Sequence, residues 1–94
     1  MGEQGHLILI AVGPDKIGLV QKISEFIVNR GGNIEDSRMA VLAGEFAQIV
    51  LVSGSDRDLE KISDALPQLG KETGLTVWQK EPSGTRAIAL SVNG

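Results

Sequence analysis

The residues best placed to do chemistry sit in one short bend, Gly13-Pro14-Asp15-Lys16-Ile17-Gly18. An apolar run ends just before it and an amphipathic segment begins just after it. The bend therefore joins a strand to the first turn of a helix. That turn carries N–H groups with no internal partner, and the helix dipole favours an anion there. A small carboxylate would suit the spot. Asp15 can receive an ammonium group, or it can cap the helix by accepting from the N–H of Ile17 or Gly18. Gly18 costs about 1 kcal/mol relative to alanine in a first turn, which points either to close approach by a ligand or neighbour or to tight helix-on-sheet packing. Asn33 offers both an amide donor and an acceptor, and it reads equally well as a turn residue after Gly31-Gly32. With Leu19 and Ile34 flanking, the candidate ligand-binding set is Gly13, Pro14, Asp15, Lys16, Ile17, Gly18, Leu19, Asn33 and Ile34. A phosphate-binding loop would need Lys followed by Ser or Thr after the second glycine, and Leu19-Val20 stand there instead.

Other chemistry finds little support. There is no cysteine and only one histidine, His6, so thiolate nucleophiles, disulfides and His- or Cys-based metal sites lack their parts. No metal and no cofactor is expected. Glu35 and Asp36 are neighbours, and on a regular strand they would point to opposite faces. Trp78 reads as core or interface filler. Nine basic residues are scattered and the net charge is -3, so direct nucleic-acid binding is not expected. No apolar run approaches the roughly 18 residues of a membrane span. The first residues do not form a secretion signal, and a cytoplasmic location is the expectation.

The elements that must position the bend follow from periodicity. His6–Val12 is a nearly continuous apolar run and reads as a strand buried on both faces. Leu19, Val20, Ile23, Phe26 and Ile27 form one stripe of a helix stopped at Gly31-Gly32. Asn33–Leu42 and Glu45–Ser53 form a hairpin around Ala43-Gly44, with a bulge or twist near Asp36-Ser37. Ser55 and Asp58 resemble a capping box that opens a second helix, with Leu59, Ile62, Ala65, Leu66 and Leu69 as its apolar stripe. Pro67 should kink or end that helix near Leu66 unless it starts a new turn. Leu75–Lys80 is a fourth strand. The fold class is α+β: a ferredoxin-like βαββαβ sandwich, a four-stranded antiparallel sheet with both helices on one face and strands one and three central. Residues 1–80 make this domain. Residues 81–94 are a linker and one extra C-terminal strand, Ala87–Val92, read as an edge strand, a swapped strand or the start of a truncated second copy.

Ala11-Val-Gly-Pro-Asp-Lys-Ile-Gly-Leu-Val20, followed by Gly31-Gly-Asn-Ile-Glu-Asp-Ser-Arg-Met-Ala40, resembles the signature of an ACT domain. The continuation Gly44-Glu-Phe-Ala-Gln-Ile-Val-Leu-Val-Ser-Gly54 is similar to the glycine cleavage system transcriptional repressor family, specifically the first of its two ACT domains. Two departures stand out: Lys16-Ile17 replaces the frequent Arg-Pro, and these 94 residues do not include the whole second ACT domain usual in that family, as expected of a fragment or of a stand-alone relative. The resemblance implies a regulatory module that binds an amino acid, forms a homodimer through sheet edges or helix faces, and acts through another protein. A pure association module without a ligand is the alternative. An acylphosphatase-like hydrolase is remote, because the bend has no arginine to grip phosphate.

Overall fold

A computed structural model of the chain describes residues 4–82. The expected extra strand at 87–92 lies outside the described residues. The elements run β1 (Gln4–Pro14), α1 (Leu19–Asn29), β2 (Asn33–Leu42), β3 (Glu45–Ser55), α2 (Asp56–Thr73) and β4 (Thr76–Lys80). They form an antiparallel sheet ordered β2-β3-β1-β4, the ferredoxin-like arrangement expected.

Alternation along the two central strands builds the core. Leu7, Leu9 and Ala11 of β1 and Phe46, Val50 and Val52 of β3 are buried beneath the helices. Leu19, Ile23, Phe26 and Ile27 of α1 and Ile62, Leu66 and Leu69 of α2 close over them. Each fully buried side chain of this size contributes about 1.5–3 kcal/mol relative to exposure. The β2–β3 hairpin turns at Ala43 and Gly44, both at positive φ (51° and 80°), as a two-residue hairpin loop of matching twist requires.

Three expectations need correction. β1 is not buried on both faces: the residues between its core positions, Ile8, Ile10 and Val12, are only half-buried, because both helices lie on the other side. Val20 leaves the predicted stripe and is exposed. Pro67 neither ends nor divides α2, which runs unbroken to Thr73. Ile62 and Leu66 before the proline and Leu69 and Thr73 after it are all buried, so packing holds both halves in line. Pro67 itself is exposed, leaving the Ser63 carbonyl it strips of a partner on the wet side. The bulge is real but falls at Glu35, between the pairs Ile34/Val52 and Asp36/Leu51.

Candidate functional site

The bend leaves β1 at Pro14 and is pinned to the hairpin by the Asp15 N–H, which donates to the Gly44 carbonyl at 3.0 Å. Gly13 is needed for close approach: a Cβ there would meet Leu75 Cδ2 at 2.9 Å. Gly18 is different. It sits at φ 87° as the N-cap of α1, and a Cβ would meet nothing within 4 Å. Its glycine answers to backbone conformation, not to crowding, so the packing explanation fails there. No side chain caps α1 and no acid stands in its first turn. Asp15 is exposed and does not cap, against one of its two expected roles. The N–H groups of Leu19, Val20 and Gln21, at the positive helix end, have no acceptor among the described residues.

The rest of the bend is open. Ile17 is fully exposed. Lys16 reaches back across the C-terminal end of α2, where a Cβ at Gly74 would meet Nζ at 2.9 Å. That end carries the negative pole of the α2 dipole, which suits the ammonium.

Asn33 and Ile34 are not beside the bend in the same chain. Asn33 stands in register with Ser53, which pairs with His6 at the start of β1, while Gly13 pairs with Phe46 at the other end. Seven positions of β1 separate His6 from Gly13, about 23 Å at strand rise. Ile34 faces Val52 and packs against the core.

A second polar cluster surrounds Asn33. Its Nδ2 donates to Glu35 Oε2 at 2.9 Å and, more weakly, to Ser53 Oγ at 3.4 Å, and Ser53 Oγ donates to Glu35 Oε2 at 2.6 Å. These bonds, that from Ser53 foremost, hold the Glu35 carboxyl below its ordinary range. Asp36, also lowered, accepts from Arg38 and from the Ser37 N–H at 2.8 Å. The bulge defeats simple alternation here, since Glu35 bonds across to Ser53 while Asp36 remains in register with Leu51. Sequence reading missed this cluster, and the broken parity between Ile34 and Ala40 was its only signal.

Gln48 was missed as well. It occupies a core parity position between Phe46 and Val50, is buried, and its Oε1 has no partner among the described residues. Such an orphan costs about 1–3 kcal/mol. One polar residue among four core-facing positions of an apolar strand would have marked it.

Among the described residues, none of the larger concavities is lined by the bend. One concavity, about 540 Å³, opens between the first half of α2 and the β1–β4 edge. Asp56, Glu60, Asp64 and Glu81 make it acidic, and no group of three potential metal ligands forms among the described residues. No described helix is long and apolar enough to cross a membrane.

Exposed apolar side chains supply the remaining feature. Among the described residues, Val20 of α1 and Met39 and Val41 on the helix-side parity of β2 are exposed apolar side chains where α1 lies against β2, while Leu42 shares the opposite parity with Ala40. Among the described residues the outer edge of β2 has no paired strand. An open strand edge with an apolar flank is a ready surface for a second chain.

The βαββαβ order and the β2-β3-β1-β4 sheet define the ferredoxin-like class, which hosts many functions, and the family comparison narrows it. The ACT domain model matches residues 5–79. The chain belongs to the ACT domain family. It is 39% identical over 80 residues to the glycine cleavage system transcriptional repressor of Escherichia coli K12, covering 85% of this chain and 42% of the repressor. It is 33% identical over 83 residues to a UPF0237 protein of Methanopyrus kandleri, covering 86% of this chain and 92% of that one. A crystal structure of a protein assigned as a glycine cleavage system transcriptional repressor superposes with a TM-score of 0.80 at 34% identity, over 85% of this chain and 47% of that one. The chain thus spans less than half the length of the repressors it matches.

Proposed function

We propose that this chain is an amino-acid-sensing regulatory module whose site is completed by a second copy. The carrying observation is that the uncapped start of α1 borders the exposed α1–β2 flank. Two β2 edges paired antiparallel about a two-fold axis would cover Val20, Met39 and Val41. Reversal of direction would also set Asn33 of one copy beside the Leu42 end of the other. That end carries the bend, tied to Gly44. The N–H groups after Gly18 would take the ligand carboxylate, Asp15 its ammonium, and the partner's Asn33 would close the crevice. Pro14 and Ile17, both exposed, would wall the crevice, whereas Gly13, Leu19 and Ile34 pack within their own chain and Lys16 lies toward the end of α2. By its likeness to the repressors, the module would serve a transcriptional regulator as an accessory domain, working through another protein in the cytoplasm.

The test combines sedimentation with titration against glycine, serine and other amino acids. A dimer that binds one of them, and a monomeric Val20→Asp/Met39→Asp variant that binds none, is the expected result. Binding by the monomer overturns the shared site. A second reading, association without a ligand, draws on Asn33 being already engaged by Glu35 and Ser53 within the chain. It predicts a dimer with no heat for any amino acid.

A further inference from the structure

Of the polar side chains buried among the described residues, Ser53 and Thr73 serve the fold. Ser53 Oγ donates to Glu35 at 2.6 Å. Thr73 Oγ1 donates to the Leu69 carbonyl at 2.7 Å and accepts from the Leu75 N–H at 3.2 Å. Gln48 has no such part: it is 6% exposed and its Oε1 lacks a donor. An acceptor kept from water without a partner weakens the fold, and an unbranched methionine would fill the same space without that penalty. Folding alone gives no reason for an amide at this position.

Its place in the sheet supplies one. Gln48 shares parity with Phe46, Val50 and Val52 of the core, so its side chain rises on the helix side. Register sets it between Ala11 of β1 and Met39 of β2. Ala11 is sealed, whereas Met39 is 54% exposed and Val20, in the first turn of α1, is exposed as well. The row is therefore closed toward β1 and open toward the α1–β2 flank. The neighbouring core-facing row, Gly13–Phe46–Val41, lies two positions away, about 7 Å, at the end of β1 where the bend departs. The orphaned acceptor and the bare helix start border the same flank.

Resting on the amino-acid-sensing reading above, we propose that Gln48 Oε1 accepts a hydrogen bond from the ligand's side chain. The site then takes amino acids that carry a hydroxyl or an amide in preference to aliphatic ones. With the carboxylate on the N–H groups after Gly18, the side chain points back between Val20 and Met39. A short polar side chain and a hydrogen bond of about 3 Å cover the interval to the amide. The donor that the chain does not provide comes from the ligand. An aliphatic ligand seals the acceptor in unpaired, and its affinity suffers for it.

The test is isothermal titration of the full chain with amino acids in pairs of similar shape: serine and alanine, threonine and valine, asparagine and leucine. In at least one pair the polar member is expected to bind about tenfold more tightly or better. In Gln48→Met that preference falls to about twofold or less, the aliphatic member binds as before, and the urea midpoint rises because the orphan is gone. Equal affinities within every pair overturn the proposal from the wild type alone, whether or not the variant folds. A preference that survives Gln48→Met overturns it too, by placing the discriminating group elsewhere. Both of these results leave amino-acid sensing standing. No heat with any of these amino acids or with glycine overturns the sensing reading, and this proposal with it.

Discussion

The two helices begin in opposite ways. α2 starts at Ser55, whose hydroxyl accepts from the Asp58 N–H at 3.1 Å, and Asp56 and Asp58 add negative charge to its first turn. α1 starts at a left-handed glycine with no capping side chain and no acid. Both helices are amphipathic and both pack on the same sheet face, so core packing does not account for the difference. A helix that satisfies its own N-terminus gains about 1 kcal/mol. One that leaves it bare keeps a positive, donor-rich end available to an outside anion. In this molecule the bare end belongs to the helix beside the β2 edge, and the satisfied end to the helix beside the β4 edge.

The largest effect should come from forcing an ordinary residue into the α1 start. Gly18→Val places a β-branched side chain at φ 87° and should cost about 2 kcal/mol in urea unfolding, from backbone strain alone since nothing lies within 4 Å. Gly18→Asn, which tolerates this conformation, should cost less than half of that. Equal losses for the two would show that contact, not backbone geometry, fixes the glycine.

Next is an attempt to make α1 resemble α2. Gln21→Glu puts a carboxylate in the bare first turn, worth about 0.3–1 kcal/mol to the helix. It also replaces the bond from Gln21 to Glu25 with a like-charge pair four residues apart, which takes back about 0.2–0.5 kcal/mol. Stability should barely move, while affinity for an amino-acid carboxylate falls about tenfold, or 1.4 kcal/mol. Unchanged affinity would remove the helix end from the ligand site. The converse change, Ser55→Ala in α2, should cost about 1 kcal/mol of stability and leave ligand titration untouched. A loss much below that would mean Asp56 and Asp58 satisfy the end without the hydroxyl.

Much of this contrast could be read in advance. Ser55 followed by Asp58 announces a capped start, and Gly13 to Gly18 announces a bend at the end of a strand, because local chemistry decides both. The element order and hairpin followed from hydropathy period and turn residues for the same reason. What sequence could not give was decided by tertiary geometry. Ile8 and Ile10 look as deserving of burial as Leu7 and Leu9, and only the side chosen by both helices separates them. Asn33 seemed to neighbour the bend because both flank α1. Yet a strand that follows a helix crossover runs parallel to β1, so its first residue lies at the far end. Pro67 signals an interruption that packing on either side overrides.

The smallest effect concerns the far end of the sheet, where Glu35 plays the part of a satisfied anion. Bonds from Ser53 and then Asn33 hold its pKa below the ordinary 4.5. A carboxylate with a depressed folded pKa adds stability that is fully present above its unfolded value and is lost as pH falls through the folded one. Denaturant midpoints should therefore hold from neutral pH down to about 4.5 and decline below it. Glu35→Gln should flatten part of that decline while keeping an acceptor for Ser53. Asp36 is lowered from 3.8 and shapes the more acidic end of the curve, so the comparison is made between wild type and the Glu35 variant, not against a flat line. Glu35 is exposed, and water screens its bonds, so the difference is small but has a fixed sign. Superimposable profiles would mean that the Glu35–Ser53–Asn33 cluster does not persist in solution. Asn33 would then be released for a partner's ligand, and the association-only reading would lose its support.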